Sequence, residues 1–306
     1  MHFFVHLMTM AALRSLQFVA ADTASRVGAG LGVLAWRIGV RRRLVNFTML
    51  QTLGLRGPQR ARLTRRSYAT MGANFIEIWT AGGVDGVEHH AAPANPEWAR
   101  HLQRLHPGIV LSTLHLGSWD GSLIGGSRSW TRVLAYAKAQ HNDAMDALLN
   151  HRREITGAEV LLTRQGDRTG AVKVMKALRS GGVVGLLADQ RPRPSEGVAA
   201  QFLGQPAWCH PGPAFFADRA NAPVVPAFAL RISASVTKVY VLRPFHVSGL
   251  TPAAGTQRVM DTLSALIAAF PGQYFWHHRR FTAAPETCPA GDPRWRTGLA
   301  FFAHSR

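Results

Sequence analysis

The sequence is poor in cysteine, in lysine and in acid. Cys209 and Cys288 are the two cysteines among 306 residues, too few for a disulfide scaffold or a thiolate metal site, and their scarcity suits a reducing compartment. Lysine occurs at Lys138, Lys173, Lys176 and Lys238, so nearly all of the 35 basic residues are arginines, and 17 acidic residues leave a net charge of +18. The apolar stretches near the amino terminus fall short of the roughly 18 uninterrupted residues that a spanning helix needs. A strained serine elbow is also missing, because Gly117-Ser118-Trp119-Asp120-Gly121 is not Gly-x-Ser-x-Gly and gives Ser118 no base of its own. With 47% hydrophobic and 17% charged residues the chain is neither a disordered tail, a collagen-like fibre nor a polytopic membrane protein.

What is present is arginine, unevenly placed. Residues 1–70 carry Arg14, Arg26, Arg37, Arg41 to Arg43, Arg56, Arg60, Arg62, Arg65 and Arg66 against the single acid Asp22. A guanidinium grips phosphate oxygens through two hydrogen bonds, so the partners such a surface admits are anionic: nucleic acid, a lipid surface or phosphorylated substrates. Met1 to Leu13, apart from His2, His6 and Thr9, and Gly28 to Trp36 are apolar, and the second is closed by Arg37 and Arg41 to Arg43. A secretory signal would place its charge before the apolar run, not after it. The pattern is that of one or two helices lying in a membrane interface over residues 1–45, although runs of this length also form buried core helices. No nucleic-acid reader motif accompanies the charge, and no nucleic-acid partner is expected.

Beyond residue 105 strand and helix patterns alternate. Gly108 to His115, Arg132 to Ala137, Ala158 to Leu162, Val183 to Ala188, Ala222 to Leu230 and Thr237 to Leu242 read as strands. Helical stripes fall between them, and a last one carries Val259, Leu263, Leu266, Ile267 and Phe270. This order predicts an α/β fold with a mostly parallel central sheet flanked by helices, residues 46–306 forming the domain and functional loops lying at the carboxyl ends of strands.

One such end is Leu114-His115-Leu116-Gly117-Ser118-Trp119-Asp120. His115 and Asp120 are five positions apart, which puts them on one face of neither a helix nor a strand. A bend at Gly117 would let the Asp120 carboxylate return to the imidazole, fixing its tautomer and leaving the other nitrogen to act as a general base toward a hydroxyl. A structural His–Asp pair has the same spacing.

The His-x4-Asp segment resembles the signature of the lysophospholipid and glycerolipid acyltransferase superfamily, and other blocks are most similar to the late lauroyl and myristoyl acyltransferases of lipid A biosynthesis. These blocks are Arg42-Arg43 with Asn46, Glu77, Val184 to Gln190, Gly197 with Phe202-Leu-Gly204, Ala222 to Pro226, and Gln273 to Phe281. Ser118 stands where that family has Asn, Ala188 where it has Pro, and Cys209-His210 where it has small hydroxyl residues. The resemblance implies transfer of a fatty acyl chain from an acyl carrier protein or coenzyme A thioester to a hydroxyl of a lipid A precursor or related anionic glycolipid. It implies no metal and no cofactor, and a peripheral or monotopic place on the cytoplasmic face of the inner membrane. His115 and Asp120 would be catalytic. Gly117 backbone groups and Arg164 would meet the oxyanion, Asp189 and Gln190 would shape the site, and His278 and Arg279 would hold an anionic group. Phosphatidylinositol mannosides, lysophospholipids or other lipids are the alternative acceptors within the superfamily.

Overall fold

The computed structural model describes residues 14–80, 91–138, 143–154, 157, 159–163, 169–282 and 284–303. The apolar stretch Met1 to Leu13 and Arg164 lie outside them. Three helices come first: α1 (Ala21–Ile38), α2 (Arg42–Leu53) and α3 (Gly57–Thr80). Then follow β1 (Ala92–Pro93), α4 (Pro96–Leu105), β2 (Ile109–Thr113), α5 (Trp119–Ser129), β3 (Val133–Lys138), α6 (Asp143–Glu154), β4 (Glu159–Thr163), α7 (Thr169–Arg179) and β5 (Val183–Leu187). A hairpin of β6 (Val198–Phe202) and β7 (Gln205–Cys209) leads to α8 (Gly212–Ala220), β8 (Val224–Arg231), β9 (Thr237–Val241) and α9 (Pro252–Ala269).

Seven strands form one sheet in the order β1-β9-β8-β2-β5-β3-β4, parallel throughout except where β9 runs against β8. The parallel centre follows from the sequence: β2 is buried at every position and β8 at all but its last, so neither strand needs a polar face. The register then fixes the site. Thr113 pairs with Leu187, so His115 and Asp189 each stand two residues past a matched pair and leave the sheet side by side.

The amino-terminal helices are part of the same body. Residue 45, where the membrane segment was expected to end, lies inside α2, and Val45 is fully buried. α1 and α3 touch backbone to backbone: a Cβ on Gly32 would stand 2.0 Å from the Tyr68 carbonyl oxygen and one on Gly72 2.1 Å from that of Gly28. Any side chain there would drive the helices apart. At the other end the 3-10 segment Pro293–Ala303 lies on α9, with Trp295 buried beneath it. No helix among the described residues is long and apolar enough to cross a membrane.

Candidate active site

His115 leaves the end of β2 with its ring 19% exposed, between Trp119 at 5.4 Å and Phe275 at 6.0 Å between ring centres. Its Nδ1 lies 2.9 Å from Asp189 Oδ1, and its backbone N–H donates to the same oxygen at 3.2 Å. Asp189 is almost wholly buried. Burial opposes its charge, but the imidazole and the N–H donors outweigh that and hold its pKa below the usual carboxylate value. An ionised carboxylate on Nδ1 keeps the proton there and leaves the Nε2 lone pair outward. The side-chain amide of Gln190, 3.2 Å away, donates to that lone pair.

Asp120 was expected in the place that Asp189 takes. Ser118 caps α5, its Oγ accepting the Gly121 N–H at 3.1 Å, which puts Asp120 at the second helical position. There its carboxylate faces α6 and pairs with Arg153 Nε at 3.1 Å. The Gly117 bend is as the spacing demands, with φ at +57° and the Ala229 carbonyl only 1.9 Å from any added Cβ. Its donors, however, are spent: Gly117 N–H bonds the Gln273 carbonyl at 2.9 Å and Ser118 N–H that of Ala229 at 3.1 Å. They are not available to an oxyanion. Ser118, fully buried, also donates its hydroxyl to Glu77.

A buried ionic frame supports the bend. Arg231 Nη2 sits 2.8 Å from Glu77 Oε2 and 2.7 Å from Asn74 Oδ1, and the Asn74 amide donates to the Gly117 carbonyl. Gln273 joins it, exchanging hydrogen bonds with the Arg231 backbone at 3.0 and 3.1 Å. Sequence reasoning missed Asn74, Arg231 and Arg153. Gln273 had a signal, since it opens one of the quoted blocks.

The closing block mostly builds structure. His278 Nε2 accepts the Arg191 N–H at 3.0 Å, and burial, with the nearby Arg280 charge, pushes its pKa down to about 4. A neutral imidazole offers an anion no charge. Arg280 is buried against the Trp208 carbonyl at 2.7 Å and Cys209 Sγ at 3.0 Å, over the Phe202 ring. Arg279 is exposed. Burial and the neighbouring Asp189 carboxylate push the Tyr274 phenol well above its ordinary range.

Beside the His–Asp pair the sheet and α5 line an apolar cavity that opens to solvent. Trp119, Asp120 and Thr113 stand in its wall, with Leu123, Trp130 and Val133 among the apolar residues. Gly185 widens it, since a Cβ there would meet nothing within 4 Å.

An α/β sheet presenting a carboxylate-bound histidine beside an apolar cavity is the equipment of an enzyme that handles an apolar substrate. The bacterial lipid A biosynthesis acyltransferase family matches residues 2–283, and the chain belongs to that family. The family indicates an acyltransferase acting in lipid biosynthesis. No curated protein matches the chain.

Proposed function

We propose that this protein transfers a fatty acyl chain from a thioester, on acyl carrier protein or coenzyme A, to a hydroxyl of a lipid A precursor or a related anionic glycolipid. The observation that carries the reading is the His115–Asp189 pair beside the apolar cavity. The acceptor hydroxyl displaces the Gln190 amide from Nε2 and gives its proton to that nitrogen while its oxygen attacks the thioester carbonyl. Asp189 stabilises the imidazolium. The tetrahedral oxyanion then collapses to the ester, and the departing thiolate takes the proton back from His115. With the Gly117 and Ser118 donors spent, the groups left for the oxyanion among the described residues are the first-turn N–H groups of α5, at Trp119 and Asp120, and the freed Gln190 amide; Arg164, the other expected donor, lies outside them. The acyl tail lies in the cavity.

The reaction belongs at a membrane surface. Val27, Leu31, Leu34 and Ile38 form an exposed apolar stripe on α1, between 53% and 71% accessible. Beside it runs a groove against α3 edged by Arg37, Arg62, Arg65 and Arg66. Apolar residues interleaved with arginines fit acyl chains below phosphate headgroups and not the polar backbone of a nucleic acid. We place the protein on the cytoplasmic face of the inner membrane, where thioester donors are made.

The test is transfer of labelled acyl chains from both donor types to a panel of extracted lipids, read by mass. Lipid A precursor should be acylated by the parent and not by a folded His115→Ala variant. Acylation of a different lipid would move the acceptor, and unchanged turnover in His115→Ala would exclude the base.

A further inference from the structure

The arginines of the groove between α1 and α3 have no acid to answer them. Arg37, Arg62, Arg65 and Arg66 are exposed and line that one groove, and none has an ion-pair partner among the described residues. The acids that α1 and α3 carry are already taken, Asp22 by Arg26 and Glu77 by Arg231. The backbone brings the four cations together. Gly28 lies against Gly72 and Gly32 against Tyr68, so the two helices run antiparallel, and Arg37, further along α1, comes level with the stretch of α3 that holds Arg62, Arg65 and Arg66. Arg62 shares a face of α3 with Arg65 and Arg66, at spacings of three and four that set Cβ atoms about 5–6 Å apart. Like charges at these spacings repel, and an anion between them removes the repulsion.

The rest of the groove suits hydrocarbon. Ala29, Gly30, Val33, Leu34 and Ala69 line it, and a Cβ on Gly30 would meet nothing within 4 Å. A second groove shares Ala29, Arg66 and Ala69 with the first and carries on to Ile232 and Ala234, past the end of β8. Together they form a trough with unpaired cations at one end and small apolar side chains along its length. A phosphate monoester brings three acceptor oxygens and nearly two negative charges, more than a diester can offer four guanidinium forks.

We propose that this trough holds one membrane lipid headed by a phosphate monoester, with the phosphate on the four arginines and an acyl chain over Gly30. The proposal rests on the membrane reading and narrows it from an anionic surface to a single headgroup. No residue that lines the trough lines the cavity beside His115, and the lipid placed here is not the acyl acceptor. The experiment compares binding of the full chain to phosphatidylcholine vesicles that carry phosphatidic acid or phosphatidylglycerol at matched negative charge, read by co-sedimentation. The parent should prefer phosphatidic acid by about tenfold, the worth of one further hydrogen bond between charged groups. Arg62→Gln with Arg65→Gln should bring that ratio toward unity. Arg43→Gln with Arg56→Gln removes the same charge outside the trough and should weaken both vesicles while keeping the ratio. Equal binding of the two vesicles by the parent, or the same loss of the ratio in both double variants, would overturn the proposal and leave a diffuse surface charge. In detergent micelles free of phosphatidic acid, Arg62→Gln with Arg65→Gln should leave the acceptor KM unchanged; a raised KM would make the acceptor the occupant and overturn the assignment. A second measurement needs neither vesicles nor turnover: the melting temperature of the full chain with dihexanoyl phosphatidic acid, dihexanoyl phosphatidylglycerol or inorganic phosphate. If neither vesicle is bound the membrane reading falls, while a larger rise with dihexanoyl phosphatidic acid, lost in the Arg62 and Arg65 double variant, still supports the site. Equal rises with the two lipids overturn it, as does an equal rise with inorganic phosphate, which would leave the chain no place in the trough.

Discussion

A histidine that draws a proton from an alcohol must have one ring nitrogen tied and the other open. Here a buried carboxylate ties Nδ1 and an amide that can swing away covers Nε2. Asp189→Asn should therefore lower kcat by on the order of 10²–10⁴ with little change in KM, and Asp120→Asn should have the smaller effect on kcat. Steady-state kinetics of the two variants decide it, the reverse order returning Asp120 to the ring. The place of His115 at the end of β2 and the glycine bend were legible because both depend on local sequence. The orienting partner of His115 was not: Asp189 is 74 residues away, and only the register of β2 on β5 brings it near. His277 makes a separate prediction. Its ring lies edge-on to Tyr68, neither nitrogen has a partner among the described residues, and burial, with the charge of Arg41, pushes its pKa down to about 4. The unfolded chain, titrating near 6.5, then binds the proton first, so this contribution to stability is whole above about pH 6.5 and lost as pH falls toward 4. His277→Phe should shrink the drop in melting temperature between about pH 7 and about pH 5. It should not abolish it, because His278 acts in the same sense. Asp261, raised to about 6 chiefly by burial, opposes both by favouring the fold at lower pH.

Among the elements, the strands were legible where they are largely buried, since Ile109 to Thr113 and Val183 to Leu187 are then short, mostly apolar runs. The antiparallel turn of β9 and the β6–β7 hairpin were not, because strand direction is a matter of how connections pack and leaves no mark on periodicity. The length of α3 was hidden too, its arginines masking a helix whose buried face is largely polar, with Thr64, Ser67, Asn74 and Glu77. α1 carries its own prediction. Leu31→Glu with Leu34→Glu adds charge to the exposed stripe without touching Gly28 or Gly32, so the fold should survive while binding to phosphatidylglycerol vesicles falls by about tenfold or more. Co-sedimentation measures it. Undiminished binding would move the contact to another face.

Across the whole molecule, the Glu77–Arg231 pair joins the amino-terminal helices to the sheet that carries His115. Both side chains are at most 10% exposed, so removing one leaves a buried charge without its partner. Glu77→Ala should lower unfolding free energy by about 3–5 kcal/mol, measured by denaturant titration. A loss below about 1 kcal/mol would mean that water reaches the guanidinium. The same frame runs through Asn74 to the Gly117 carbonyl, and α3, which supplies it, also bears Arg62, Arg65 and Arg66 on its outer edge. Floor and doorway are thus bolted together: if the protein settles on a lipid sheet by this edge, as we propose, the tilt it adopts there bears on the bend that carries the chain from His115 into α5.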